Sequence, residues 1–301
     1  MSRPTRGDGA GRAYLDLQNR ARREGRGTQE LLTLYVVERW LARLAESAYA
    51  EDFVLKGGML LAAFGQRRPT VDADTLARNL SNDLDAVAAR VAEIAALPGD
   101  DGVVFLTGTV KAQAIREESL YAGVRVSMEA RIATASITLR LDVSFGDPVT
   151  PPPRTILLPA LRPSMAPVAV LGYPIETVLA EKIVTALELG AANTRVRDYA
   201  DIYSITGAHD LDRAAVRQAI DATAAHREVA LAPLSASVGA LATSRAGSWA
   251  AYRRSLGRQS EDLPVGFAEV VSAVAAFADG ILVQAPDATW IARSRTWRPQ
   301  M

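Results

Sequence analysis

The chain has 301 residues, with 34 basic and 34 acidic side chains, two histidines and no cysteine. That length suits about two domains with a sizeable core, and 49% hydrophobic with 23% charged residues excludes wholesale disorder. Without cysteine there is no disulfide framework, thiolate metal site or thiol nucleophile, and a net charge of zero gives no global pull toward nucleic acid or anionic membrane.

The first 26 residues carry seven Arg against Asp8, Asp16 and Glu24, and they lack the apolar stretch of a secretory signal. Residues 1–28 read as a basic, solvated arm, with weak nucleic-acid or partner binding as the alternative. No uninterrupted run of about 18 apolar residues occurs, so no membrane partner is expected and the cytoplasm is the simplest location. Residues 29–47 place Leu31, Leu34, Tyr35, Trp40 and Leu44 at helical spacing. FVLK at 53–56 is strand-like and meets Gly57-Gly58; MLLAAFG then reads as a helix ended by Gly65. Residues 70–76 form a second strand, and 81–97 a helix capped by Ser81 or Asn82. From 103 to 145 the pattern is β: GVRVSMEARI and ITLRLDVSF alternate apolar and polar residues. The proline-rich 148–163 stretch is a linker or edge strand, and the domain boundary falls near it, giving 29–165 as a core and 166–301 as a helical lobe. In that lobe Pro174 opens a helix closed by Gly190 and a second runs from about Asn193 to Gly207. Others follow at about 211–229, 235–257 and 266–280.

Four short segments carry chemistry. Lys56-Gly57-Gly58 sits at a strand-to-helix turn, where glycines let backbone amides approach an anion, although a glycine pair there also serves as a plain turn. Asp72 and Asp74, two apart on a strand, share a face; paired hard carboxylates suit Mg²⁺, while a polar strand end explains them equally. Asp142 lies on the polar side of its strand with Thr138, Arg140 and Ser144, and joins Asp72 and Asp74 if the two strands are neighbours. Glu181-Lys182 on one helix and Asp198 and Asp201, three apart on the next, fit a salt-bridge network as well as a site. Only Lys56, Lys111 and Lys182 among the 34 basic residues are lysine. In an arginine-rich chain a surviving lysine points to a need for a compact ammonium, and two of the three lie in these segments.

The order Gly57-Gly58, thirteen residues, then Asp-x-Asp resembles the polymerase-β-type nucleotidyltransferase signature. FVLKGGMLLAAF, LDVSFGDPV and YPIETVLAEKIVTALELGAANTRVRDYADIY more specifically resemble the AbiEii/AbiGii toxin family. GQRRPTVDADTLARNLSND is similar to its MenT-type branch. The likeness spans about residues 50–205, with a weaker echo in the C-terminal helices. It departs in one respect: Asp-Ala-Asp-Thr replaces the family's more apolar run between and after the acids. The resemblance implies an α+β fold, with a nucleotidyltransferase core of mixed sheet and flanking helices, plus a mostly helical C-terminal lobe. It implies a cytosolic type IV toxin, paired with an antitoxin, that moves a nucleotide from an NTP to an acceptor; in the MenT branch this is the 3′ end of tRNA. The matched positions are Gly57, Gly58, Asp72, Asp74, Asp142, Lys182, Asp198 and Asp201.

On that basis Asp72, Asp74 and Asp142 are expected to hold Mg²⁺. Lys56, Gly57, Gly58 and Lys182 would contact the nucleotide, and Asp142, Asp198 or Asp201 would accept the acceptor's proton. Phosphoryl-type transfer depends on positioning and electrostatics, so scarce histidine is no obstacle. Arg20, Arg22, Arg23, Arg26, Arg67, Arg68, Arg253, Arg254, Arg258, Arg293, Arg295 and Arg298 are an RNA track or ordinary surface charge. Tyr252, Trp290 and Trp297 are base platforms or core. His209 and His226 are structural or solvated. Two rival readings remain: a protein-modifying phospho- or nucleotidyltransferase, and a non-catalytic NTP- or partner-binding module.

Overall fold

A computed structural model describes residues 4–65, 72–116, 122–283 and 287–300. Arg67 and Arg68 lie outside the described residues. By internal contacts the chain divides into one unit of Met1–Asp147 with Pro153–Gly172, and another of Pro148–Pro152 with Tyr173–Met301.

The first unit begins with a difference from expectation. The basic N-terminal stretch is mostly a helix, α1 (Gly9–Glu24), whose first turn is closed by the Asp8 carboxylate accepting from the Gly11 amide at 2.6 Å. Ala13, Leu17 and Ala21, spaced by four, form a buried stripe that packs on α2 (Thr28–Glu46). That stripe is narrow, and seven arginines hide it in the composition. Arg20 and Asp16 are tied down as well, to the Leu161 carbonyl and to Arg162. Arg22 and Arg23 stay exposed.

β1 (Phe53–Lys56) is buried along its whole length and runs into a short helical turn, α3 (Gly57–Leu60), closed by Gly65. After β2 (Ala73–Ala77) comes α4 (Leu84–Ala95). Its cap is Asp83, not Ser81 or Asn82: the carboxylate accepts from the Ala86 amide at 2.8 Å, the orphan third-position N–H that a cap one residue before the helix reaches. Asp83→Ala is expected to lower stability by about 1 kcal/mol, read as an earlier denaturation midpoint with unchanged transition slope.

Long antiparallel strands follow, β3 (Val104–Arg116), β4 (Ala122–Ile132) and β5 (Ala135–Phe145), then β6 (Arg154–Leu158) and β7 (Val168–Gly172). The seven strands form one mixed sheet in the order β3-β4-β5-β2-β1-β7-β6. The proline-rich segment supplies its edge: β6 itself is free of proline and is bounded by Pro153 and Pro159. The unit extends past residue 165 to Gly172 because β7 pairs with both β1 and β6. Ile137, Leu139, Leu141 and Val143 of β5 are buried on the side contacted by α2. Strand alternation therefore turns Arg140, Asp142 and Ser144 to the opposite face.

The second unit is helical, as expected, with one addition. α5 (Ile175–Leu189) starts behind Pro174 and stops at Gly190; α6 (Val196–Ala208), α7 (Arg213–Arg227), α8 (Leu241–Ser244), α9 (Ala246–Leu256) and α10 (Phe267–Leu282) complete the helices. The addition is a small sheet of β8 (Leu211–Asp212), β9 (Ala288–Ile291) and β10 (Thr296–Pro299). It fixes the tryptophans. Trp290 is 2% exposed and donates from Nε1 to the Thr206 carbonyl at 2.7 Å, while Trp297 stacks on Phe277 at 5.2 Å and donates to that residue's carbonyl. Trp290 is a core residue, its buried indole satisfied by a carbonyl; Trp297 is half-buried against Phe277. Arg295 is likewise held, over the Tyr203 ring and on its carbonyl. Among the described residues no single helix is long and apolar enough to cross a membrane; one bent pair, Ala246–Asp262 with Phe267–Leu282, passes by length and composition together.

Candidate active site

β2 and β5 are parallel neighbours, which meets the condition set for the three carboxylates. Asp74 stands directly across from Asp142 in the ladder. Paired strands lie about 4.8 Å apart, so the two side chains share the polar face of the sheet. Asp72 immediately precedes β2, and all three carboxylates are half-buried. Burial first, and then the charge of Asp142, push the Asp72 carboxyl above its ordinary value, while Arg125 and Arg140 oppose the rise. An excess of negative charge on one partly dehydrated face is what a hard divalent cation relieves, so the donor chemistry fits a metal such as Mg²⁺. Among the described residues, however, no three Asp, Glu or His side chains converge as a ready cage. Asp142 turns both oxygens to Arg125, with Nε–Oδ1 at 2.7 Å and Nη2–Oδ2 at 2.6 Å.

The glycine turn meets the acids from β1. Lys56 pairs with Asp74 in the antiparallel β1–β2 ladder, so the turn that follows it lies beside that carboxylate. Gly57 has φ +64°, and a Cβ there would collide with the Asp74 carboxylate, 2.6 Å from its Cγ and 2.8 Å from its own Cβ. Glycine is needed twice, for the left-handed backbone and for the space. Gly57→Ala is expected to displace Asp74 and cut turnover by roughly 100-fold, the cost of misplacing a reacting group by about an ångström. Steady-state kinetics beside a thermal melt would check this; a variant with wild-type kcat would show that the close approach is incidental.

Lys56 does not simply point at an open site. Its Nζ pairs with Asp147 Oδ2 at 2.9 Å, and the Ser144 hydroxyl donates to the same oxygen at 2.8 Å. The lysine and Asp147 side chains are 11% and 9% exposed, so the pair joins the end of β1 to the end of β5 from within. Sequence reasoning passed over Asp147 and Arg125. The signal for Arg125 was its place in GVRVSMEARI, on the polar side of the alternation; its partner depends on the β4–β5 register.

The second unit gathers the other matched residues. Lys182 of α5 lies between Asp198 and Asp201 of α6, at 2.5 and 2.9 Å, and Arg195 closes on Asp198 at 2.7 Å. The i, i+3 spacing aims both carboxylates at one ammonium. Burial would raise the Asp198 carboxyl, but Lys182 and then Arg195 outweigh it and bring it down to about 2. The structure thus forms two clusters, one within each unit: Lys56, Gly57, Asp72, Asp74 and Asp142 in the first, Lys182, Asp198 and Asp201 in the second.

A mixed sheet with two in-register aspartates and an adjoining glycine turn is the arrangement expected of a nucleotidyltransferase, and the family comparison supplies that class. The profile of the family described as "Nucleotidyl transferase AbiEii toxin, Type IV TA system" matches residues 39–280. MenT4, a nucleotidyltransferase toxin of Mycobacterium tuberculosis H37Rv, is similar in structure at 17% identity and TM-score 0.50, over 87% of this chain and 92% of its own. A putative nucleotidyltransferase from H. pylori is similar at 16% identity and TM-score 0.50, over 85% and 97%. No curated protein sequence matches. The chain belongs to the AbiEii family of type IV toxins, and it is a nucleotidyltransferase.

Proposed function

We propose that this enzyme transfers a nucleoside monophosphate from an NTP to the 3′-hydroxyl of a tRNA, releasing pyrophosphate, with Mg²⁺, as a cytoplasmic toxin held in check by a cognate antitoxin. The observation that carries the reading is the placement of Asp74 across from Asp142, with the Asp74 carboxylate packed against Gly57. The tRNA acceptor rests on the likeness of residues 65–83 to the MenT-type branch.

Asp72 and Asp74 would hold the metal. A Mg²⁺ ion held there would supply charge neutralisation at the triphosphate and would lower the pKa of the acceptor hydroxyl. The Gly57-Gly58 turn offers backbone amides to phosphate oxygens, and Lys56 adds a nearby positive charge that Asp147 keeps in place. Lys182 is assigned to the same reaction through its matched motif, as a point cation for phosphate charge. With its carboxyl at about 2, Asp198 is a weak proton acceptor, so its part is to hold Lys182. Arg22 and Arg23 are exposed on α1. Arg23 edges a cavity of about 300 Å³ beside the Arg6–Asp16 and Arg20–Glu24 ion pairs, so Arg22 and Arg23 are the cations this face offers RNA phosphates.

The test is incubation with each α-labelled NTP, Mg²⁺ and total RNA, followed by gel resolution and nuclease treatment. Label on tRNA-sized, nuclease-sensitive product is expected. Label on protein, or label from the γ position, would replace this reading with a protein-modifying one.

A further inference from the structure

We infer that Arg125 is a built-in cation that occupies Asp142, making Asp142 a positioning residue and leaving the metal capacity of this face to Asp72 and Asp74. The inference rests on the reading of Asp72 and Asp74 as metal ligands. Its basis is the register of the sheet: Arg125 of β4 is paired with Asp142 of β5, which in turn is paired with Asp74 of β2. Guanidinium and carboxylate meet fork to fork, at 2.7 and 2.6 Å, so both Asp142 oxygens are used. A metal ion at Asp142 would have to displace two charge-assisted hydrogen bonds at once. The Asp142 side chain is 13% exposed against 37% for Arg125, so the carboxylate lies beneath the guanidinium that covers it.

Arg125 also acts beyond its partner. Its positive charge bears on Asp72 and Asp74 as well, which places it electrostatically within the carboxylate group. Three like charges on one face repel, and a fixed guanidinium offsets that repulsion before any metal arrives. Arg140, two residues before Asp142, shares the face and is exposed, so Arg125 alone supplies the fork.

Titration of the purified protein with Mn²⁺ alone, followed by the free-ion paramagnetic resonance signal and by calorimetry, tests the assignment without reference to turnover. Wild-type protein should bind Mn²⁺, and Asp72→Asn should abolish this. Asp142→Asn should lower the affinity only a few-fold, through the unbalanced Arg125 charge, whereas Arg125→Gln should tighten it about tenfold or add a site. The Arg125→Gln/Asp142→Asn double variant should lose that gain, because the gain comes from the freed carboxylate. If Asp142→Asn weakens Mn²⁺ binding as much as Asp72→Asn does, Asp142 is a ligand and the inference fails. It fails too if Arg125→Gln changes nothing while Asp72→Asn still abolishes binding, and in that case the metal reading survives. Absence of saturable Mn²⁺ binding to wild-type protein overturns both. Thermal melts on the same samples guard against misfolding, and should Arg125→Gln not fold, Asp142→Asn in the wild-type background still decides whether Asp142 is a ligand.

Discussion

Asp74→Asn is expected to lower nucleotide transfer by on the order of 10³-fold while leaving the protein folded. The substitution keeps the shape of the side chain and removes its charge, so the packing against Gly57 persists and the hard ligand is lost. Asp74 is half-buried beside Lys56 and Asp142 in the ladder, and its neutralisation removes one of the two proposed metal ligands. Single-turnover assays with α-labelled NTP would measure the loss, with a thermal melt as the control for folding. Transfer at the wild-type rate would remove Asp74 from the reaction and with it the Asp-x-Asp reading of this chain.

The second large effect concerns stability. Asp198→Asn should destabilise the protein by about 2 kcal/mol near neutral pH, because it removes the carboxylate that Arg195 closes on and one of the two buried carboxylates on Lys182, leaving Asp201. The pH dependence follows from linkage. The Asp198 carboxyl titrates at about 2 when folded and near 3.9 when unfolded, so the folded state binds its proton less tightly. Its contribution, about 2 kcal/mol, is fully present above the unfolded value and is lost as pH falls from about 4 toward 2. Wild-type and variant denaturation curves should therefore converge across that window. A gap that stayed constant down to pH 2 would show that Asp198 owes its effect to packing instead of to charge.

These expectations combine two kinds of information. Strand alternation in ITLRLDVSF was enough to place Asp142 on the polar side, because period-two patterning is local and the apolar set is unambiguous. The i, i+3 spacing of Asp198 and Asp201 was equally legible, and the helix delivered both to one lysine. The N-terminal helix was not, since Ala13, Leu17 and Ala21 are too thin a stripe to stand out among arginines until α2 provides the surface that buries them. The roles of Trp290 and Trp297 were likewise undecidable before β9 and β10 carried them back to Phe277 and Thr206.

What the amino-acid order determined by itself was the chemistry: hard carboxylates, a glycine turn, two well-placed lysines, and the absence of thiols. Such features depend on residue type and short-range spacing, and a strand or helix preserves them wherever it packs. What only the tertiary structure decided was who partners whom. Asp142 belongs with Arg125, Lys56 with Asp147, and Asp74 with the bare Cα of Gly57, because sheet register brings together residues 17, 91 and 17 positions apart. Local pattern carries no information about which strand lies alongside, so the charge balance of the site emerges only once the seven-stranded order is formed.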